Sequence, residues 1–353
     1  MLHVTFIGAL SNCDDSILKV NNAGLSFKIS KVRVSELISE LCKSAGQNAE
    51  ICRADLTIEF YKKGIADPIP GAYGYVAEVE GAYDEAWPDP VNVYFWLNEK
   101  LRDDVSRVYS EIELLRLFKR GNLSIQYAAI LIKDDNQKEA MYPFMIYPGS
   151  DYVEADKYTL SEDELEPIAS FLNFFRYEQL PGDLALAFSN YNASFGFSQS
   201  WPFVAAKGEV VAYGSIASFL MIMVGLENLV NKDPNAVTET ISRNLALLLG
   251  SDETSSREIY RCMKRIYDER SKIVHGSIDD EDVLKKFECY KVKARDYLRE
   301  AIKNAWTAEK KLGLSVEQLL DKFACLSFCS ERPWRDEITG KFLLKLSGCD
   351  ECK

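Results

Sequence analysis

The chain has 353 residues and a net charge of −12; this is longer than one hydrophobic core usually requires, so we expect two domains. The composition, with 47% hydrophobic and 27% charged residues, is typical of a folded protein and excludes a disordered chain. The acidic balance excludes a surface that attracts nucleic acid over its whole area, and no apolar run is long enough to cross a bilayer.

The first fifteen residues, MLHVTFIGALSNCDD, predict a strand. They lack the basic segment that opens a signal peptide. The nine cysteines are scattered along the chain and odd in number, which favours a reducing compartment over a disulfide framework. We therefore expect a cytoplasmic protein without structural disulfides.

Residues 1–205 are expected to form a mixed α/β domain, and its sequence indicates no function. Runs rich in β-branched and aromatic residues, bounded by Gly, Pro, Asn or Asp, predict its strands. The predicted strands are 3–7, 56–61, 75–79, 91–96, 125–132 and 141–147, and the predicted helices are 34–44, 105–119 and 161–175. No phosphate-binding glycine loop, metal-spaced cluster or nucleophile elbow occurs in this region.

Residues 206–312 change to long amphipathic helices, and residues 313–353 form a further helix and a tail. The predicted helices are 212–231, 235–249, 255–275, 279–312 and 315–328. Short loops between them predict an antiparallel bundle, so the fold class is α+β. Residues 255–311 carry fifteen Lys or Arg against eleven Asp or Glu. This balance fits either a local RNA or phosphate site or a solvated helix face.

Two charged residues fall inside apolar helix stripes. Isoleucines and a methionine define the stripe of helix 255–275, and at 100° per residue Arg270 lies in its middle. Helix 212–231 has an equivalent stripe, and Glu227 lies in the middle of it. Because a lone buried charge is strongly disfavoured, we expect Glu227 and Arg270 to face each other. The pair fits either a buried contact that sets helix register or a guanidinium held at a cleft for phosphate.

His275 follows Arg270 by five residues, an offset of 140° on a straight helix. The two side chains share a face only if the last turn unwinds before Gly276. A histidine in a last helical turn also stabilises the helix dipole without any other role. The chain has two histidines, and His3 is expected in a strand. His275 is therefore the candidate imidazole for acid–base chemistry.

The segment IYDERSKIVHGS, residues 266–277, resembles the R-x4-6-H signature of HEPN domains, and in particular the ApeA-like branch with its YxxRxxxxHG segment. The stretches GLENL at 225–229 and SRNLALLLG at 242–250 match that branch in style. Glu227 then takes the position of its first-helix acid. The resemblance covers about 100 residues and excludes residues 1–200 and the tail.

The resemblance implies a metal-independent endoribonuclease that acts as a homodimer and needs no cofactor. His275 would be the general acid or base, Arg270 would bind the scissile phosphate, and Glu227 would orient Arg270. Lys272 and Arg265 would add phosphate contacts to RNA.

HEPN nucleases of this kind serve as toxins or effectors in bacterial stress and anti-phage defence, and the resemblance implies a sensor or regulatory role for residues 1–205. Neither DNA nor a membrane is an expected partner. Ser271 departs from the Asn, Asp or His that often follows the arginine in active members. The alternative is therefore a catalytically silent HEPN module that binds nucleotide or RNA, or that mediates dimerisation in a regulatory protein.

Two further signals have alternative interpretations. Cys325, Cys329, Cys349 and Cys352 have spacings compatible with a four-thiolate zinc site. A helical segment with buried free cysteines explains the first pair more simply, and the second pair lies at the C-terminus, where a chain end commonly frays. The aromatic stretch 191–201 fits a base-stacking surface or, more simply, packing between the N-terminal domain and the bundle.

Overall fold

The structure is a computed structural model. It describes residues 1–42, 73–88, 92–136, 138–145, 157–176, 180–196, 202–204, 210–232, 236–274 and 281–332. An antiparallel sheet precedes a helical region, which confirms the α+β class. The chain divides into two compact units, Met1–Arg176 and Tyr177–Lys353. Within the described part of the chain, no helix is both long and apolar enough to cross a membrane.

The first unit is built on a five-stranded sheet with the order β2-β3-β1-β4-β5, in which all neighbours are antiparallel. Its strands are β1 (Leu2–Ser11), β2 (Lys28–Arg33), β3 (Tyr73–Tyr83), β4 (Ser124–Asp134) and β5 (Glu139–Met145). Its α-helices are α1 (Val34–Leu41), α2 (Val93–Phe118) and α3 (Leu165–Phe175), and two 3₁₀ helices span Asp15–Ala23 and Glu162–Glu164.

The central strand β1 separates two layers of core. Its Phe6 lies opposite Val79 of β3 and Ile130 of β4, and alternate residues point to opposite faces. On one face, α1 packs its buried apolar side chains against Ala9 and Ala129. Leu2, Val4 and Phe6, which alternate with Ala9, are also buried. Both faces of β1 are therefore covered.

Two predictions for this unit were wrong. The run 91–96 was predicted as a strand, but α2 already begins at Val93. Val93, Leu97 and Leu101 are all buried at a spacing of four residues, and this helical period overrides the strand preference of the aromatic run. Strand β2 was not predicted, because lysines and an arginine dominate its sequence, KISKVR, as is common in edge strands. The predicted strand 56–61 lies outside the described residues.

The second unit is a helical bundle with a short two-stranded sheet. Its helices are α4 (Gly182–Gly196), α5 (Tyr213–Val230), α6 (Val237–Leu249), α7 (Glu253–Val274), α8 (Glu281–Leu312) and α9 (Val316–Ala324), and its strands are β6 (Pro202–Val204) and β7 (Val210–Ala212). The helices predicted from residue 212 onward are confirmed, although the last one is shorter than predicted. Helix α4, which was assigned to the domain 1–205, belongs to this second unit.

Residues after 313, which were predicted as a separate segment, are joined to the bundle as far as Arg332. The Arg332 guanidinium donates to the carbonyl oxygens of Leu247 at 2.9 Å and Gly250 at 3.0 Å. Arg243 of α6 donates to the carbonyl oxygen of Phe323 at 2.8 Å. These three carbonyls lie in the last turn of a helix or just after it. The two arginines therefore join α9 and the segment after it to the end of α6 and the start of α7.

Four charged side chains of helix α8 are almost fully buried. Arg299 contacts Asp296 at 3.1 Å and Glu300 at 3.1 Å, and Lys303 Nζ lies 2.7 Å from Glu300 Oε1. Burial lowers the pKa of Lys303 to about 8, and the contact with Glu300 opposes that shift. Two positive and two negative side chains thus compensate one another inside the bundle, as buried charges require.

The cysteines differ from the prediction. Cys42, Cys262 and Cys289 are disulfide-bonded, whereas Cys13, Cys325 and Cys329 are free. The expectation of no disulfides was therefore wrong for three of the described cysteines. Spacing along the chain carries no information on which thiols meet in space, and disulfide formation depends on that proximity.

At Gly225, α5 packs tightly against α4 and α8. A Cβ at this position would come within 2.7 Å of Leu298 Cδ2, 3.3 Å of Asn190 Cβ and 3.4 Å of the Ala187 carbonyl oxygen. Overpacking of a core typically costs about 1–3 kcal/mol, and the gain in helix propensity offsets up to about 1 kcal/mol of that.

We predict that Gly225→Ala lowers the free energy of unfolding by about 1 kcal/mol, measured by urea denaturation. Gly182→Ala is the matched control, because a Cβ at Gly182 meets nothing within 4 Å. Equal stability of Gly225→Ala and the unmodified protein would show that the three helices separate without penalty.

Candidate functional site

Glu227 of α5 and Arg270 of α7 meet in the structure. Arg270 Nη2 lies 3.0 Å from Glu227 Oε1, which confirms the pairing predicted from the two helix stripes. The side chains remain 29% and 24% exposed, so the pair is not enclosed in the core. It lies at the margin of the bundle, where a charged group keeps part of its hydration.

Tyr267 joins the same contact, one helical turn before Arg270. Its hydroxyl donates to Glu227 Oε1 at 2.6 Å, the oxygen that Arg270 also contacts. The Arg270 Cζ lies 5.1 Å from the centre of the Tyr267 ring, within the range of a cation–π interaction. Burial and the bond to Glu227 raise the pKa of Tyr267, so the phenol stays protonated and remains a donor.

The guanidinium of Arg270 has an unmet donor. Its Nε is buried and makes no hydrogen bond to the residues that the structure describes. A buried donor without an acceptor is disfavoured by about 1–3 kcal/mol. The site therefore holds a guanidinium that Glu227 fixes at Nη2 and that remains part exposed, an arrangement suited to an anion such as phosphate.

The two other basic candidates do not lie beside Arg270. Because α7 is continuous from Glu253 to Val274, Arg265 is 140° and Lys272 is 160° around the helix from Arg270. The Lys272 ammonium contacts Glu269 at 2.7 Å, and Arg265 is exposed. The expectation that these two add contacts to the same phosphate is not supported within one protomer.

His275 lies outside the described residues. Helix α7 is regular through Val274, so the unwound turn that would bring residue 275 beside Arg270 does not begin before that point. Ser271 is exposed. The described part of the site therefore consists of Glu227, Tyr267 and Arg270.

The structure also tests the cysteine and aromatic signals. Cys325 and Cys329 are exposed and free, so their interpretation as buried helical cysteines was wrong, while Cys349 and Cys352 lie outside the described residues. Within the described ranges, no group of three His, Cys, Asp or Glu side chains is arranged to hold a metal.

The aromatic stretch begins inside α4, where Tyr191 and Phe195 are buried. Their rings contact each other edge to face at 5.3 Å. The Arg295 guanidinium of α8 lies over the Phe195 ring at 4.5 Å. These aromatic residues therefore pack inside the second unit and do not form an open base-stacking surface.

Tyr267 is the functional candidate that sequence reasoning missed. It lies three residues before Arg270, a spacing that places two side chains on one helix face. It also belongs to the segment that resembles the HEPN signature, but neither signal indicates that the hydroxyl reaches Glu227 on another helix.

Comparison of the chain with protein-family models, with curated proteins and with solved structures found no match. The HEPN resemblance consequently depends on the quoted segments alone.

We predict a measurable coupling between Glu227 and Arg270, because their contact is three-quarters shielded from water. A double-mutant cycle with Glu227→Gln and Arg270→Gln, followed by urea denaturation, is expected to give about 1 kcal/mol. The exposed pair Glu253 and Arg257, at 2.6 Å on the same helix α7, serves as the control and is expected to show weaker coupling, because solvent screens it. Equal coupling in both pairs would show that shielding from water does not strengthen the Glu227–Arg270 contact.

Proposed function

We propose that the protein is a metal-independent endoribonuclease that cleaves RNA through its 2′-hydroxyl. The observation that carries this proposal is the state of Arg270, whose guanidinium is held by Glu227 and by the Tyr267 ring and yet remains part exposed. A cation held in this way costs little reorganisation when it meets a phosphate. The resemblance of residues 266–277 to the HEPN signature supplies the reaction class.

RNA carries its own nucleophile, so the protein needs only to move protons and stabilise charge. In the proposed reaction, His275 removes the proton of the 2′-hydroxyl, or donates one to the leaving 5′-oxygen. The 2′-oxygen attacks the adjacent phosphorus, and the bond to the 5′-oxygen breaks. The products are a 2′,3′-cyclic phosphate and a 5′-hydroxyl. Arg270 offsets the negative charge that develops on the phosphate oxygens.

The proposed enzyme is a homodimer in which two copies of Arg270 and His275 line one cleft. Val224, one turn before Glu227 on α5, and Val274, one turn after Arg270 on α7, are 39% and 55% exposed. Two exposed apolar side chains beside the charged pair fit the edge of a protein interface. A monomeric mass by light scattering at micromolar concentration would contradict the dimer.

The second candidate is a catalytically silent module that binds RNA or mediates dimerisation. The contacts of Arg270 with Glu227 and Tyr267 favour this candidate, since the same contacts would occur if the ion pair only stabilised the fold. A toxin or effector role in cytoplasmic defence is part of the first proposal alone, because it requires cleavage.

We predict that the purified protein cleaves RNA in EDTA and that Arg270→Ala and His275→Ala each abolish this cleavage. The expected loss is at least about 100-fold, the size of a general acid–base contribution. The matched controls are Arg261→Ala, which removes an exposed arginine 180° around α7 from Arg270, and His3→Ala, which removes the exposed histidine of β1. Both controls should retain cleavage, and RNA with 2′-deoxy residues should remain intact.

Cleavage that persists in both Arg270→Ala and His275→Ala would remove these residues from the active site. Absence of cleavage with structured and unstructured RNAs, combined with RNA binding that depends on Arg270, would favour the silent module. Cleavage that requires a divalent metal would contradict the proposed chemistry directly.

A further inference from the structure

We propose that Tyr267 is a positioning residue that fixes the Glu227 carboxylate and thereby the direction of the Arg270 guanidinium. This inference rests on the proposed function and adds to it a third residue of the site.

The geometry supports it in two independent contacts. The Tyr267 hydroxyl and Arg270 Nη2 converge on the same oxygen, Glu227 Oε1, at 2.6 Å and 3.0 Å. The Tyr267 ring lies under the Arg270 guanidinium at 5.1 Å. One side chain thus restrains both members of the ion pair, its hydroxyl acting on the acid and its ring on the base.

The burial of the three side chains explains why such a restraint matters. About a quarter of the Glu227 and Arg270 side chains remains exposed to solvent. A long side chain at the margin of a bundle can adopt several rotamers. Holding the side chain in one rotamer means that its conformational entropy is already lost before substrate arrives. Tyr267 itself is buried, so its hydroxyl has a fixed position from which to orient Glu227.

Helix α7 contains a second tyrosine, Tyr260, that also contacts one acidic and one basic side chain. The Tyr260 hydroxyl donates to Glu239 at 2.7 Å, and Lys264 lies 5.3 Å from the Tyr260 ring and 3.2 Å from Glu239. Tyr260 precedes Tyr267 by two turns and is away from Arg270. Tyr260→Phe therefore removes the same type of hydrogen bond on α7 without affecting the proposed site.

The experiment compares Tyr267→Phe, Tyr267→Leu and Tyr260→Phe in RNA cleavage in EDTA. For Tyr267→Phe we expect kcat to fall about 10- to 100-fold, because misplacement of a catalytic group by about 1 Å has an effect of that size. KM should change less than kcat. The pH profile of kcat should keep its shape, since Tyr267 transfers no proton. Tyr267→Leu should lose more activity, and Tyr260→Phe should match the unmodified protein.

A second measurement does not depend on cleavage. With isotope-labelled arginine, the Nε–Hε resonance of Arg270 reports how strongly its guanidinium is immobilised. We expect faster side-chain motion of Arg270 in Tyr267→Phe and no change in Tyr260→Phe. This readout also separates positioning from a general loss of stability, which thermal unfolding of each variant monitors.

The outcomes distinguish the two proposals. If the protein cleaves RNA, Arg270→Ala is inactive and Tyr267→Phe is fully active, the role of Tyr267 is overturned and the proposed function stands. If no RNA is cleaved, the proposed function fails. The mobility of the Arg270 side chain then tests by itself whether Tyr267 positions the guanidinium. Unchanged Arg270 motion in Tyr267→Phe would overturn it.

Discussion

The contact between Glu227 and Arg270 is the interaction on which the proposed site depends. A charged side chain inside an apolar stripe is stable only when a partner of opposite charge reaches it, and here the partner comes from a different helix, at 3.0 Å. The contact therefore couples the packing of α5 and α7 to the direction of one guanidinium. Its position at the margin of the bundle leaves that guanidinium accessible to an anion.

The neighbourhood of the pair shows how the bundle supports it. Gly225 lies two residues before Glu227 and lets α5 approach α4 and α8 closely, since a Cβ would meet Leu298 at 2.7 Å. Inside α8, the compensated charges of Asp296, Arg299, Glu300 and Lys303 are nearly inaccessible to water. The second unit thus contains two kinds of ion pair. One is enclosed and balanced, which suits a structural role, and the other is part exposed, which suits binding.

Helical periodicity was sufficient to predict the Glu227–Arg270 pair and the positions of α5 to α8, because a residue's angle around a long helix follows directly from its number. The same arithmetic places Arg265 and Lys272 away from Arg270, although the resemblance had implied that they contact the same phosphate. The role of Tyr267 was not predictable, since its hydroxyl reaches an acid forty residues away on another helix. Contacts between helices depend on how the helices pack, and the residue spacing within one helix does not show which side chains of another helix it meets.

Errors in the first unit have a similar origin. The run at 91–96 has strong strand preference, yet α2 begins within it because Val93, Leu97 and Leu101 together face the core. Tertiary burial outweighed local propensity there. The division between the units at Arg176 and Tyr177 precedes the predicted boundary at residue 205, because α4 packs with the later helices, as its contacts with Gly225 show.

The most direct test of the central claim is an experimental structure with RNA whose 2′-hydroxyls are methylated, so that it binds without cleavage. We predict a phosphate oxygen within hydrogen-bond distance of the Arg270 guanidinium, with Glu227 and Tyr267 still in contact on its other side and His275 of one or both protomers facing the same phosphate. A structure in which the RNA backbone lies elsewhere and Arg270 contacts only Glu227 and Tyr267 would contradict the account and leave the pair with a structural role.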